Sequence, residues 1–115
     1  MTDTLSQQEE MAFPFIEAAI GIDTAKQRPD DKDLLVKVLD NNVSLWLYFK
    51  NLLTQDENGL SRDTQAFLIQ ASEFMIKAAQ LLLNQVDDEL MNRLITLNLN
   101  MSELLLQNKG EGSQA

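Results

Sequence analysis

Between residues 35 and 53, Leu35, Leu39, Asn42, Trp46, Phe49 and Leu53 recur at alternating spacings of four and three. That period puts all six on one stripe of an α-helix and excludes a strand, whose side chains alternate every two residues. At about 100° per residue, Leu34, Val38, Leu45 and Leu52 fall on one flank of the stripe, and Val36, Val43 and Leu47 on the other. Only Lys37, Asp40, Ser44 and Asn51 form a clearly polar arc. So broad an apolar surface predicts a central helix with neighbours on several sides.

The remaining punctuation divides the chain into four helical segments. The first covers about 5–27 and opens on Ser6-x-x-Glu9, the pattern of a capping box, but it contains Pro14, which removes an N–H and disfavours helix at Phe13. Two short helices, or one helix beginning at Pro14, are the expectations. Pro29 with Asp30 and Asp31 starts a second helix of about 30–54, and Gln55 to Gly59 make a polar turn. Ser61 is a good N-cap for a third helix of about 62–84. Asp87, Asp88 and Glu89 open a fourth of about 87–108, ended by Lys109-Gly110. The fold class is all-α, a small bundle of about four helices in a single domain of residues 1–108, the first irregular around Pro14, with a disordered tail at 109–115.

The third helix is expected to bury Phe67, Ala71, Phe74, Ala78 and Leu82, and the fourth Leu90, Leu94, Leu97, Met101, Leu104 and Leu105. Each also carries a second apolar row: Ile69, Ile76 and Leu83 on the third, Ile95, Leu99 and Leu106 on the fourth. A small bundle needs about one apolar face per helix. The surplus has three explanations: self-association as a homodimer, a groove kept for a partner helix, or coverage by the first helix. Tyr48, near the polar arc, is the aromatic best placed for a surface contact, whereas Trp46 belongs to the core stripe. Met75, Met91 and Met101 suit either a plastic groove or ordinary core filling. Asn42 and Asn98 lie on or beside apolar rows, where their amides either fix helix register or meet a bound chain.

Chemistry is sparse. The chain has no His and no Cys, so the usual nucleophile–base pairs, disulfides and sulfur-ligated metals are excluded. Its acid clusters sit at helix starts, where the helix dipole accounts for them. Thr54 to Gly59 resembles a calcium loop, but alignment on the glycine puts Thr54 and Gln65 at ligand positions they fill poorly. No enzyme and no cofactor are expected. A net charge of −9 disfavours direct nucleic-acid binding and anionic membranes. The first ten residues lack a secretory signal, and no uncharged apolar run approaches ~20 residues, so a cytoplasmic location is expected.

Three motifs occur in a fixed order: Asn42-Val-Ser-Leu45-Trp46-Leu-Tyr-Phe49, then Asn58-Gly-Leu60 with its Asn twelve residues after the Trp, then Leu94-Ile95-Thr-Leu-Asn98. In order and spacing they resemble the flagellar biosynthesis regulator FlaF family over about residues 35–106. Ser61 and Gln65-Ala66 stand where that family often has Pro and Arg-Ala. The resemblance implies a small cytoplasmic helical protein that couples flagellin production to assembly by binding flagellin and promoting its secretion, beside a companion regulator acting on flagellin mRNA. Ile69, Ile76, Leu83, Ile95, Leu99, Leu106 and Tyr48 are then the candidate contacts for the bound chain.

Overall fold

Acidic and hydroxyl side chains set the starts of three helices. In the computed structural model, which describes residues 7–53 and 61–114, the helices are α1 (Gln7–Gln27), α2 (Lys32–Leu53), α3 (Arg62–Asn84) and α4 (Asp88–Gln114). Asp31 Oδ1 accepts from the Leu34 N–H at 3.0 Å, and Asp87 Oδ1 accepts from Glu89 and Leu90 at 3.0 and 3.2 Å. These carboxylates satisfy amides that the helix itself leaves unpaired. Their structural role is therefore direct. Ser61 Oγ caps α3 by accepting from the Thr64 N–H at 3.1 Å. Ser61→Ala is expected to cost about 1 kcal/mol, seen as a small fall in the midpoint of thermal unfolding; an unchanged midpoint would show that the cap contributes nothing.

Two boundaries differ from expectation. α1 runs unbroken through Pro14, because Ala12 and Phe15 on either side of it are buried in the core, and their packing offsets the ~3 kcal/mol a helical proline costs. α4 continues to Gln114 rather than stopping at Lys109-Gly110. A glycine raises the cost of helix by about 1 kcal/mol but does not block it sterically. The proposed Ser6 capping box and the turn at 54–60, including the Asn58-Gly59-Leu60 motif, lie outside the described residues.

The helices stand at the corners of a four-sided bundle. α1 packs against α2 and most closely against α4, α2 packs against α3, and α3 and α4 form the loosest side. Small buried residues on α1, namely Ala12, Ala19 and Ala25, permit its close approach to its neighbours. On the α2 side of α1, a Cβ added to Gly21 would lie 3.3 Å from the Val38 side chain. The glycine admits that contact.

The α2 stripe is buried as expected from Leu39 through Asn42, Trp46 and Phe49 to Leu53, while its first member, Leu35, is half-buried. The helix is a corner rather than a centre, however, and leaves Val36, Leu47 and Tyr48 exposed. Phe15, Trp46 and Phe49 meet edge to face, with ring centroids 5.1, 5.5 and 6.0 Å apart, the geometry aromatic quadrupoles favour.

α3 and α4 are turned relative to the expected faces. α3 buries Leu68, Ser72, Met75, Ala78, Ala79 and Leu82, while Phe67 and Phe74 are 63% and 41% exposed. The rotation is tolerated because Ser72 Oγ, though buried, donates to the Leu68 carbonyl oxygen at 2.8 Å. In α4, Asn98 and Ser102 join Met91, Leu94, Met101 and Leu105 in the core, leaving Leu90, Leu97 and Leu104 half-buried. Met75, Met91 and Met101 are all core fillers. α3 is long and apolar enough to cross a membrane by length and composition, but its buried residues form one side of this bundle.

Candidate functional site

The motif residues of α2 and α4 meet inside the protein. The backbones of these two helices do not approach one another, since they occupy a diagonal of the bundle. Their side chains bridge it. Trp46 Nε1 donates to Asn98 Oδ1 at 2.8 Å, and Asn98 Nδ2 donates to Asn42 Oδ1 at 2.9 Å. An indole N–H can only donate, so it fixes the orientation of the Asn98 amide, and that amide fixes Asn42 in turn. The chain of bonds ends on Asn42 Nδ2, a buried donor with no partner. Of the two roles open to these asparagines, register is the one this geometry serves: all three residues are fully buried and present nothing to a ligand.

A second cross-helix tie joins the end of α2 to the first turn of α3. The Gln65 side-chain amide donates to the Leu53 carbonyl oxygen at the end of α2. Gln65 thereby joins α3 to the helix before it.

The surface available for contact lies elsewhere, in the apolar side chains that the bundle leaves uncovered. The two second rows do not form one groove. Ile69 and Ile76 lie one helical turn either side of Glu73, whose carboxylate is 3.3 Å from Lys50 Nζ of α2. That row therefore runs along the α2 flank of α3, with Ile69 packed against the core, Ile76 half-buried and Leu83 exposed. Ile95 lies one turn beyond Asn92, whose Oδ1 accepts from Lys26 Nζ of α1 at 2.7 Å. The row of Ile95, Leu99 and Leu106 runs along the α1 flank of α4.

Here α1 extends the apolar surface instead of covering it. Pro14, Ala18 and Gly21 line a cleft with Val38 and Leu45 of α2, which leaves Phe13, Ile16 and Ile20 on the opposite flank, beside α4. Reading back along the two antiparallel helices from the Lys26–Asn92 bond, Ile20 comes within one residue of the level of Leu99, and Phe13 within one of Leu106. Phe13, Ile20, Leu99 and Leu106 are 43%, 60%, 43% and 36% exposed, with Ile16 and Ile95 half-buried between them. Single exposed apolar residues are ordinary, whereas a group of them on two neighbouring helices is a candidate contact surface. The α1 half of this face escaped the sequence reading. Its signal was the spacing of Phe13, Ile16 and Ile20 at i, i+3 and i+7, obscured by the helix break that Pro14 implies.

Two further concavities flank the bundle. On the α3–α4 side, Phe67, Ala71 and Phe74 face Leu97 across a shallow groove of about 510 Å³, edged by Gln70, Asn92, Arg93, Thr96 and Asn100. On the α1–α2 side, exposed Tyr48 borders a cleft of about 450 Å³ with Met11, Pro14 and Phe15. Tyr48 is thus at the surface as expected, but apart from both second rows. Among the described residues no three metal-ligating side chains gather.

The model of the family described as flagellar protein FlaF matches residues 1–105 of the chain. No curated protein and no solved structure matches it.

Proposed function

The chain belongs to the flagellar protein FlaF family and so acts in flagellum biogenesis, and from that premise we propose that it does so by binding flagellin as a chaperone-like regulator of flagellin synthesis and secretion. The observation that carries this reading is the uncovered apolar face of α1 and α4, centred on Ile20 and Leu99. An amphipathic segment of an unfolded flagellin chain laid on that face would bury its own apolar stripe, much as a helix does in a groove. The reading places the protein in the cytoplasm, where flagellin is made, and makes the companion regulator of flagellin mRNA its second partner. The chain's own acidic charge leaves contact with RNA to that companion.

The test is a pull-down of purified flagellin by the intact protein at micromolar concentration. Wild type is expected to retain flagellin, and Leu99→Asp to lose most of it, since a carboxylate in the middle of an apolar contact must be desolvated. Failure of wild-type protein to bind would overturn the proposal. Leu99 suits the test better than Ile69, which packs against the core and whose replacement by Asp would disturb the fold. Light scattering identifies the competing occupant: a dimer that becomes monomeric on Leu99→Asp would assign this face to a second copy.

A further inference from the structure

The groove between α3 and α4 differs from the α1–α4 face in shape and charge. α4 lies close against α1 and meets α3 only loosely, so the α3–α4 side is the open seam of the bundle. Phe67 and Phe74 stand along it seven residues apart, about 10 Å or two helical turns, with Ala71 between them. That spacing matches the i, i+3/i+4, i+7 stripe by which one helix packs against another.

The charge is the more selective feature. The protein carries −9 overall, yet Arg93 is the one charged residue among those lining the groove, and the rest of its rim is uncharged. Among the described residues Arg93 pairs with Glu89 alone, one turn back at 3.5 Å, with both side chains largely in water. So exposed a pair within a helix is worth a few tenths of a kcal/mol. The guanidinium is therefore available to a stronger acceptor, and it forms planar two-point bonds with a carboxylate.

We infer that the α3–α4 groove is a second docking site, separate from the α1–α4 face, and that it takes an amphipathic helix of a partner protein, its apolar stripe seated on Phe67, Phe74 and Leu97 and an Asp or Glu beside that stripe paired with Arg93. The overall charge and the groove's local charge make opposite demands on such a ligand. Net charge favours a basic helix; Arg93 favours an acidic one.

Two labelled synthetic helices decide between them. They share one leucine stripe and differ only in carrying Glu or Lys beside it, and fluorescence anisotropy follows their binding to the full chain in ~0.15 M salt, where distant charges are screened beyond about 8 Å. The Glu peptide is expected to bind about five- to tenfold more tightly, and Arg93→Glu to reverse the order. Phe74→Asp is expected to abolish binding of both, while Leu99→Asp leaves both unchanged. Phe74 is 41% exposed, so the variant is expected to remain folded, which circular dichroism checks. Tighter binding of the Lys peptide, or a Glu preference that survives Arg93→Glu, would overturn the inference. So would a self-associated wild type that Phe74→Asp converts to monomer, because a second copy would then fill the groove. None of these outcomes depends on flagellin.

Discussion

Trp46→Ala is expected to destabilise the protein by about 4 kcal/mol. Trp46 is fully buried, contacts the rings of Phe15 and Phe49, and is the donor at the head of the polar chain through Asn98 to Asn42. Its removal opens a cavity that rigid helices fill only in part, and leaves Asn98 Oδ1 without the donor that orients it. Domains of this size are stable by about 5–15 kcal/mol, so one substitution removes a large share of the total. Thermal unfolding followed by circular dichroism should show the midpoint fall by roughly 15 °C. A loss below about 1.5 kcal/mol, little more than one ordinary hydrogen bond, would contradict the packing described.

The second large effect separates the two asparagines. Asn98→Leu retains side-chain size but strands the Trp46 N–H and the Asn42 oxygen in the core, and should cost about 2–3 kcal/mol. Asn42→Leu strands only the Asn98 amide, and it removes a buried donor that already lacks a partner. Its cost should be about 1 kcal/mol or less. Urea denaturation of both single variants and the double gives the coupling between them. The expected order is Asn98→Leu much worse than Asn42→Leu; equal costs would mean that the indole N–H is not what anchors the network.

How well the sequence foretold each helix depended on what occupied its core positions. α2 was legible because its stripe has one phase and its buried polar member, Asn42, falls within that phase. In α3 and α4 the core centre includes Ser72, Asn98 and Ser102. Hydrophobicity alone turned those helices towards Phe67, Phe74, Leu97 and Leu104 and away from the polar residues. The local bond from Ser72 to Leu68 and the pairing of Asn98 with Trp46 make that burial tolerable, and the second depends on a residue 52 positions away in the chain. For the same reason the motif asparagines could be noticed but not assigned a role.

The candidate surface was half legible. Leu99 and Leu106 were identified as surplus and are exposed, but the partner residues that make them a face, Phe13 and Ile20, belong to the other end of the chain. Only the antiparallel register of α1 and α4 brings the two ends together. Phe67 and Phe74 were assigned to the core and instead line a groove. One rotation of α3 accounts for both the misplaced core and the unanticipated cleft.

The motif residues inside and the apolar residues outside therefore have different duties, and Asn98 and Leu99, neighbours in sequence, divide between them. Measuring the flagellin affinity and the unfolding midpoint of Asn98→Leu and Leu99→Asp, at a temperature where both are folded, tests that division most directly. The account predicts that Asn98→Leu lowers the midpoint by roughly 10 °C and binds flagellin as wild type does, while Leu99→Asp keeps its midpoint and loses about tenfold or more in affinity. Undiminished binding by folded Leu99→Asp, or loss of binding by folded Asn98→Leu, would contradict it.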